Sequence, residues 1–238
     1  MQKTINSSDF NSFNWYNDTN NITFYVSGNT ADRILVFDEN WVSIASKNLS
    51  GPAYIIFVND TLYVSADTGI YNLDKYLNII NQYTATKSSK YRGIYYSPIE
   101  NSIFVANFGA SKVDVFDLDL NLNNSLNLFT YKPFSIQGLD KQIFVGDSYN
   151  GVIILIEKKI IIKIFQACGG ISTLVSSIIF DQFGYMATTC FNNYAYLYSA
   201  NGTYTSLNIS TQPYPFQISF SYNGHLAIVS YYRVTIYY

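Results

Sequence analysis

An all-β chain of repeated four-strand units is what three observations predict. A short alternating apolar run recurs as TFYVSG at Thr23, TLYVSA at Thr61, SIFVAN at Ser102, QIFVGD at Gln142, YMATTC at Tyr185 and HLAIVS at His225. A second run keeps step with it, as ILVFD from Ile34, IYNLD from Ile70, VDVFD from Val113, IILIE from Ile153, AYLYS from Ala195 and VTIYY from Val234. Both runs alternate apolar and polar residues, the period of a half-buried strand. The composition agrees: 23 Tyr and 17 Phe bring the aromatic share to 18%, and rings at that density favour sheet over helix. With 48% hydrophobic and 13% charged residues, the 238-residue chain carries enough apolar material for a large core.

The remaining strands fall into place around these two. An inner strand precedes each first run, as FNWYN from Phe13, AYIIFV from Ala53, GIYYS from Gly93, FSIQG from Phe134, SSIIF from Ser176 and FQISF from Phe216. Turn residues such as Asn59-Asp60 separate it from the run that follows. An outer strand comes last, as in WVSIAS from Trp41 or IIIKIF from Ile160. Gly151 to Phe165 is a hairpin, because Glu157, Lys158 and Lys159 split it into halves of strand length, too short to cross a membrane. A strand-only period near 40 residues predicts a single six-bladed β-propeller over residues 1–238, each blade a four-stranded antiparallel sheet. The sixth unit reaches Tyr238 after three strands, so the N-terminal segment MQKTINSS is expected to supply its fourth, the rival reading being truncation of a longer array.

The units ITFYVSGNTADRILVFDENW and SIFVANFGASKVDVFDLDLN resemble NHL repeats: an apolar strand, a small-residue turn with Asn, and an apolar strand ending in Phe-Asp. The resemblance spans the chain, is plainest in units one and three, and loses the Asn turn in units two and six. It implies a six-bladed propeller, and activities that range from protein and RNA binding to a lyase and lactonase-like metal enzymes. Fold alone does not choose among these.

Strand alternation places the connections between blades and the loops between second and third strands at one end of the ring. That end should carry Arg33, Lys47, Lys87, Lys90, Arg92, Lys112, Lys132 and Arg233 against Asp9, Asp32, Asp67 and Asp147. Aromatics join them: Phe108, Tyr149, Phe191, Tyr231 and Tyr232 at loop tips, with Tyr91, Tyr131 and Tyr214 in connections. The opposite end collects Asp38, Asp74, Asp117, Asp181 and other acids, which good turn formers explain.

Catalytic signals are weak. The lone His225 and the three glutamates Glu39, Glu100 and Glu157 fall at the acidic end, away from where metal-dependent propellers direct their ligands. An oxygen-only calcium site from Asp32, Asp67 and Asp147 with Asn29 or Asn150 is an open alternative. Cys168-Gly169-Gly170 lacks a phosphate-cradling pattern and reads as a turn between blades. Cys168 and Cys190 fall at one end on neighbouring strands, where a disulfide and two buried thiols are both open.

The reading is a non-enzymatic binding or scaffold module, without cofactor or metal, whose face of Arg33, Arg92, Phe108, Lys112, Lys132, Tyr149, Phe191, Tyr231, Tyr232 and Arg233 takes a protein, glycan or other anionic partner. A metal-dependent hydrolase or lyase and an RNA-binding propeller are its alternatives. MQKTINSSDF has no apolar leader, so the compartment is cytoplasmic if Met1 is the true start and extracellular if the chain is part of a longer one.

Overall fold

The computed structural model describes residues 2–6, 12–18, 21–28, 31–170, 172–181, 183–198, 204–208, 215–220, 226–230 and 233–237. The first strand is β1 (Gln2–Asn6). Five groups of four follow. They are β2 (Ser12–Asp18), β3 (Asn21–Gly28), β4 (Arg33–Phe37) and β5 (Ser43–Asn48); β6 (Pro52–Val58), β7 (Thr61–Ala66), β8 (Gly69–Leu73) and β9 (Ile79–Thr84); β10 (Tyr91–Ser97), β11 (Ser102–Asn107), β12 (Lys112–Phe116) and β13 (Leu122–Asn127); β14 (Pro133–Leu139), β15 (Gln142–Asp147), β16 (Val152–Glu157) and β17 (Ile160–Gln166); β18 (Val175–Phe180), β19 (Met186–Cys190), β20 (Tyr194–Tyr198) and β21 (Tyr204–Asn208). The chain ends on β22 (Pro215–Phe220), β23 (Leu226–Ser230) and β24 (Arg233–Tyr237).

Each group of four is one antiparallel sheet in chain order, and a further sheet runs β1-β24-β23-β22. Its junction pairs Gln2 with Tyr237 through to Asn6 with Arg233. The innermost strands β2, β6, β10, β14, β18 and β22 pack each against the next, and β22 packs against β2. This is a β-propeller of four-stranded antiparallel blades. Among the described residues no helix is long and apolar enough to cross a membrane.

Both faces of a blade must be covered, so the core lies between blades and every junction has its own apolar cluster. Tyr25, Ile34 and Val36 meet Ile55, Leu62, Val64 and Leu73. Tyr54, Tyr63 and Ile70 meet Tyr91, Val105 and Phe116, and Phe104, Val113 and Val115 meet Ile136, Val145 and Ile154. Ile153 meets Val175, Ile178 and Tyr196, while Ala187 and Ala195 meet Ile218 and Ile228. Phe13, Phe24, Val26 and Phe37 meet Val229, joining the first sheet to the one holding β23. Each fully buried aliphatic or aromatic side chain contributes about 1.5–3 kcal/mol relative to exposure.

Hydroxyls stitch the same junctions near the centre. Ser27 Oγ donates to Ala53 O at 2.7 Å and Ser65 Oγ to Arg92 O. Ser135 Oγ donates to Val175 O at 2.9 Å and Ser176 Oγ to Pro215 O at 2.5 Å. Among the described residues the junction between β10 and β14 has no such hydroxyl, and Gly93 brings the two backbones together instead. A Cβ there would lie 2.7 Å from Ile136 N and 2.9 Å from Phe134 O.

The acidic end follows from one turn used repeatedly. Asp38 Oδ1 accepts from Asn40 N and Val42 N, Asp74 Oδ1 from Tyr76 N and Asn78 N, and Asp117 Oδ1 from Asp119 N and Asn121 N. Asp181 does the same with Phe183 N and Tyr185 N. The residue three places on takes positive φ: Trp41 (67°), Leu77 (66°), Leu120 (61°) and Gly184 (82°). Leu77 and Leu120 accept that strain because their side chains are buried. The Asn78 side chain, with the turn amides behind it, holds the Asp74 carboxyl below the usual range, and Asn121 does so for Asp117. Stability from the Asp74 and Asp117 turns is therefore present above the ordinary carboxylate pKa and lost as pH falls through the lowered one.

Candidate functional site

The loops at the basic end are tied to the connections beneath them. Asp67 N donates to Gly51 O, Gly109 N to Lys90 O, Ser148 N to Lys132 O and Phe191 N to Leu174 O. Side chains reinforce the ties: Asp32 Oδ1 accepts from Gly51 N at 2.7 Å, Asn107 Oδ1 from Lys90 N at 3.3 Å, and Asp147 Oδ1 from Lys132 N at 2.6 Å. Asp147 Oδ2 also accepts from the amides of Tyr149 and Asn150. These bonds overturn the calcium set. Asp32, Asp67 and Asp147 belong to three different blades, and each carboxylate is already engaged: Asp32 by the Gly51 amide, Asp67 by the Arg92 guanidinium, and Asp147 by the amides of Lys132, Tyr149 and Asn150. Among the described residues no group of three or more His, Cys, Asp or Glu side chains comes together.

Four of the ten expected face residues do assemble, across the blades of β10–β13 and β14–β17. Phe108 sits in the loop between β11 and β12, with the Arg92 guanidinium and the Lys132 ammonium each 6.0 Å from its ring centroid. Tyr149, from the loop between β15 and β16, lies 6.3 Å from Phe108 and is 62% exposed. Arg92 is not free. Its Nη1 pairs with Asp67 Oδ1 at 2.5 Å and donates to Tyr91 O at 2.8 Å. Lys132, like the exposed Lys90 beside the same loop, forms no ion pair among the described residues and can meet a partner.

The other expected residues part company with this group. Phe191 packs edge-on against Phe216 at 5.1 Å. Arg33 is exposed in the blade of β2–β5, two junctions away. Tyr231, Tyr232, Tyr214, His225, Asp9 and Asn29 lie outside the described residues, as does the side chain of Arg233. Tyr91 is corrected outright, and Lys112, still partly exposed, is drawn into an ion pair, because a buried carboxylate that the sequence reading missed meets both. Asp114 is fully buried; its Oδ1 meets Lys112 Nζ at 3.0 Å and Ser125 Oγ at 2.5 Å, and its Oδ2 meets Tyr91 OH at 3.0 Å and Asn107 Nδ2 at 2.7 Å. Tyr91 is thus a core residue, 1% exposed, and burial followed by the Asp114 charge pushes its hydroxyl pKa well up.

The central channel is narrow and closed at the basic end. Ile55, Ile94, Ile136, Ile178 and Ile218 occupy one level of the inner strands, with Asn14 in the sixth place donating to Ile55 O at 3.2 Å. Tyr54 crosses at the mouth: its hydroxyl lies against the carbonyls of Ser176 and of Phe216, the latter at 3.1 Å. Burial pushes the Tyr54 pKa up, so the group remains a neutral donor. The cavity left along the channel measures about 140 Å³.

Cys168, in a short 3-10 turn, and Cys190, at the end of β19, are joined by a disulfide with Cα atoms 5.8 Å apart. Closing a loop of this size removes about 3 kcal/mol of unfolded-state entropy in the chain-entropy account.

No family model and no curated protein matches the chain. Solved structures do. A catalytically inactive virginiamycin B lyase from Staphylococcus aureus with quinupristin superposes with a TM-score of 0.77 at 15% identity, covering 97% of this chain and 82% of its own. A streptogramin B lyase gives 0.70 at 12% identity, covering 99% and 96%. The WD40 β-propeller domain of Doa1 gives 0.75 at 10% identity, covering 98% and 95%. A lyase and a WD40 domain fit the same backbone almost equally well. At these identities the likeness is one of fold, and that fold is the β-propeller.

Proposed function

We propose that the chain is a closed six-bladed propeller serving as a non-enzymatic binding module, and that the Phe108–Tyr149 face takes an acidic protein segment. One observation carries the reading: an exposed tyrosine and an unpaired lysine flank a phenylalanine ring that already holds an arginine. Aromatic area next to cations on a rigid frame is the composition of binding hot spots. The hydrolase or lyase alternative has little room, since Tyr54 fills the channel mouth. Two lysines, Lys90 and Lys132, beside a salt-bridged arginine are also a small footprint for a phosphate backbone.

Because Arg92 is tied to Asp67, charge reversal there would disturb the scaffold, and Lys132 and Tyr149 are the informative positions. A fluorescent peptide of alternating Glu and Tyr should bind with a saturable anisotropy change. Lys132→Glu and Tyr149→Ala should each weaken it at least about tenfold with unchanged melting temperature. Lys75→Glu, at the opposite end, should be silent. Equal loss from both ends would mean bulk charge was responsible and would remove the localised face.

Ring closure has its own test. Deleting residues 1–8 removes β1 from the edge of β24. The truncated chain should melt at lower temperature and associate through the exposed edge. An unchanged melting temperature in a monomer would refute closure by this segment.

A further inference from the structure

We propose that the outer edge of β17 is a strand-addition site for an extended protein segment in which apolar residues alternate with carboxylates. Among the described residues β17 is hydrogen-bonded to β16 alone, so one side of its backbone has donors and acceptors to offer. At seven residues it is longer than the six-residue outer strands β5, β9 and β13. Two of those strands are largely polar, SIASKN in β5 and LNNSLN in β13, each with one exposed branched apolar side chain, Ile44 and Leu122; β9 exposes Ile79 and Ile80, but its Asn81 Nδ2 donates to Asp119 O of the next blade at 2.5 Å and ties that strand down. β17 reads IIIKIFQ, with Ile160, Ile162 and Ile164 exposed by 63%, 56% and 41%. Three branched apolar side chains on an open edge are an interaction surface by default.

Charge decides what can occupy it. Lys158 and Lys159 precede the strand and Lys163 lies within it, and no carboxylate follows until Asp181. Glu157, just before, is within 3.4 Å of Gln142 Nε2. A second copy pairing antiparallel through the same edge would bring its Lys163 against this one, which disfavours self-association. An acidic strand meets no such repulsion. The bulge at Ile162 divides the edge, and the unbroken register from Lys163 opposite Leu155 to Gln166 opposite Val152 is the ladder a guest would take. Ile160 and Ile162 then cover its apolar side chains beyond the bulge. Strand addition draws affinity from main-chain bonds and selectivity from alternate side chains.

The test uses the full chain and a labelled, end-blocked hexapeptide of alternating Val and Glu. Saturable binding is expected, and the same peptide N-methylated at each Val should bind at least about tenfold more weakly, because its ladder donors are gone. Ile160→Asp with Ile162→Asp should abolish binding, and Lys163→Glu should weaken it, all with unchanged thermal melting since these side chains face solvent. Lys132→Glu should leave it intact, which separates this edge from the Phe108–Tyr149 face. Equal binding of the N-methylated peptide would reduce the effect to charge and overturn the proposal. So would undiminished binding by the double aspartate variant. Concentration-dependent dimers that the double aspartate variant abolishes would instead assign the edge to a second copy.

Discussion

Replacing Asp114 by alanine should lower the unfolding free energy by about 3–5 kcal/mol, the usual cost of removing one member of a buried charged network. Four donors converge on this carboxylate, from Lys112, Ser125, Tyr91 and Asn107, and in the alanine variant all four lose their acceptor. Tyr91 suffers most, because its hydroxyl lies in the core and water does not reach it. Asp114→Asn keeps the shape and one acceptor oxygen while abolishing the ion pair with Lys112, so its loss should be smaller. Denaturant unfolding of the two variants beside the parent checks this. A loss below about 1 kcal/mol for the alanine variant would mean that the network relaxes or hydrates freely.

Tyr54→Ala is expected to rank with it, at about 3–5 kcal/mol, as for other buried aromatic truncations. The ring fills the channel mouth beside Phe134, 6.2 Å away and edge-on, and its hydroxyl serves carbonyls on β18 and β22 from a strand on the far side of the channel. Tyr54→Phe keeps the packing and strips the donor, for a smaller cost of about 1–3 kcal/mol. If the phenylalanine variant loses as much as the alanine variant, the hydroxyl dominates; if it loses nothing, water substitutes for it.

The strand order could be read from the chain because each unit repeats the same alternation and the same turn chemistry. The inner, first, second and outer runs all appear as strands, and the Asp turns account for the acidic end. The site was harder to read, for a physical reason. Alternation says only that polar residues leave their own sheet's apolar face, and in a propeller that other face meets the next blade. Nothing in the alternation of KVDVF therefore singles out Asp114, which is fully buried. Tyr91 looked like a loop ring and is core, while Arg92 looked like a free base and is neutralised by an aspartate two strands back in the previous blade. Tyr54 was unremarkable in AYIIFV, since no local pattern announces a contact reaching from residue 54 to residues 176 and 216. The Lys132 ammonium and the Tyr149 ring lie 6.0 Å and 6.3 Å from the Phe108 ring, as loops sharing one end of a ring allow whatever the blades bury.

The pairing of Gln2 with Tyr237 sets a schedule for synthesis. A ribosome adding about 5–20 residues per second makes β24 roughly 10–50 s after β1. Until then the nascent chain carries β1 without its partner and Phe13 without Val229. Middle blades can form as they emerge, each on its predecessor, but the first gains its second neighbour only when the last arrives. Contacts of such long sequence separation are slow to form, so the window in which this protein most needs a chaperone opens with its first strands and closes with its final one.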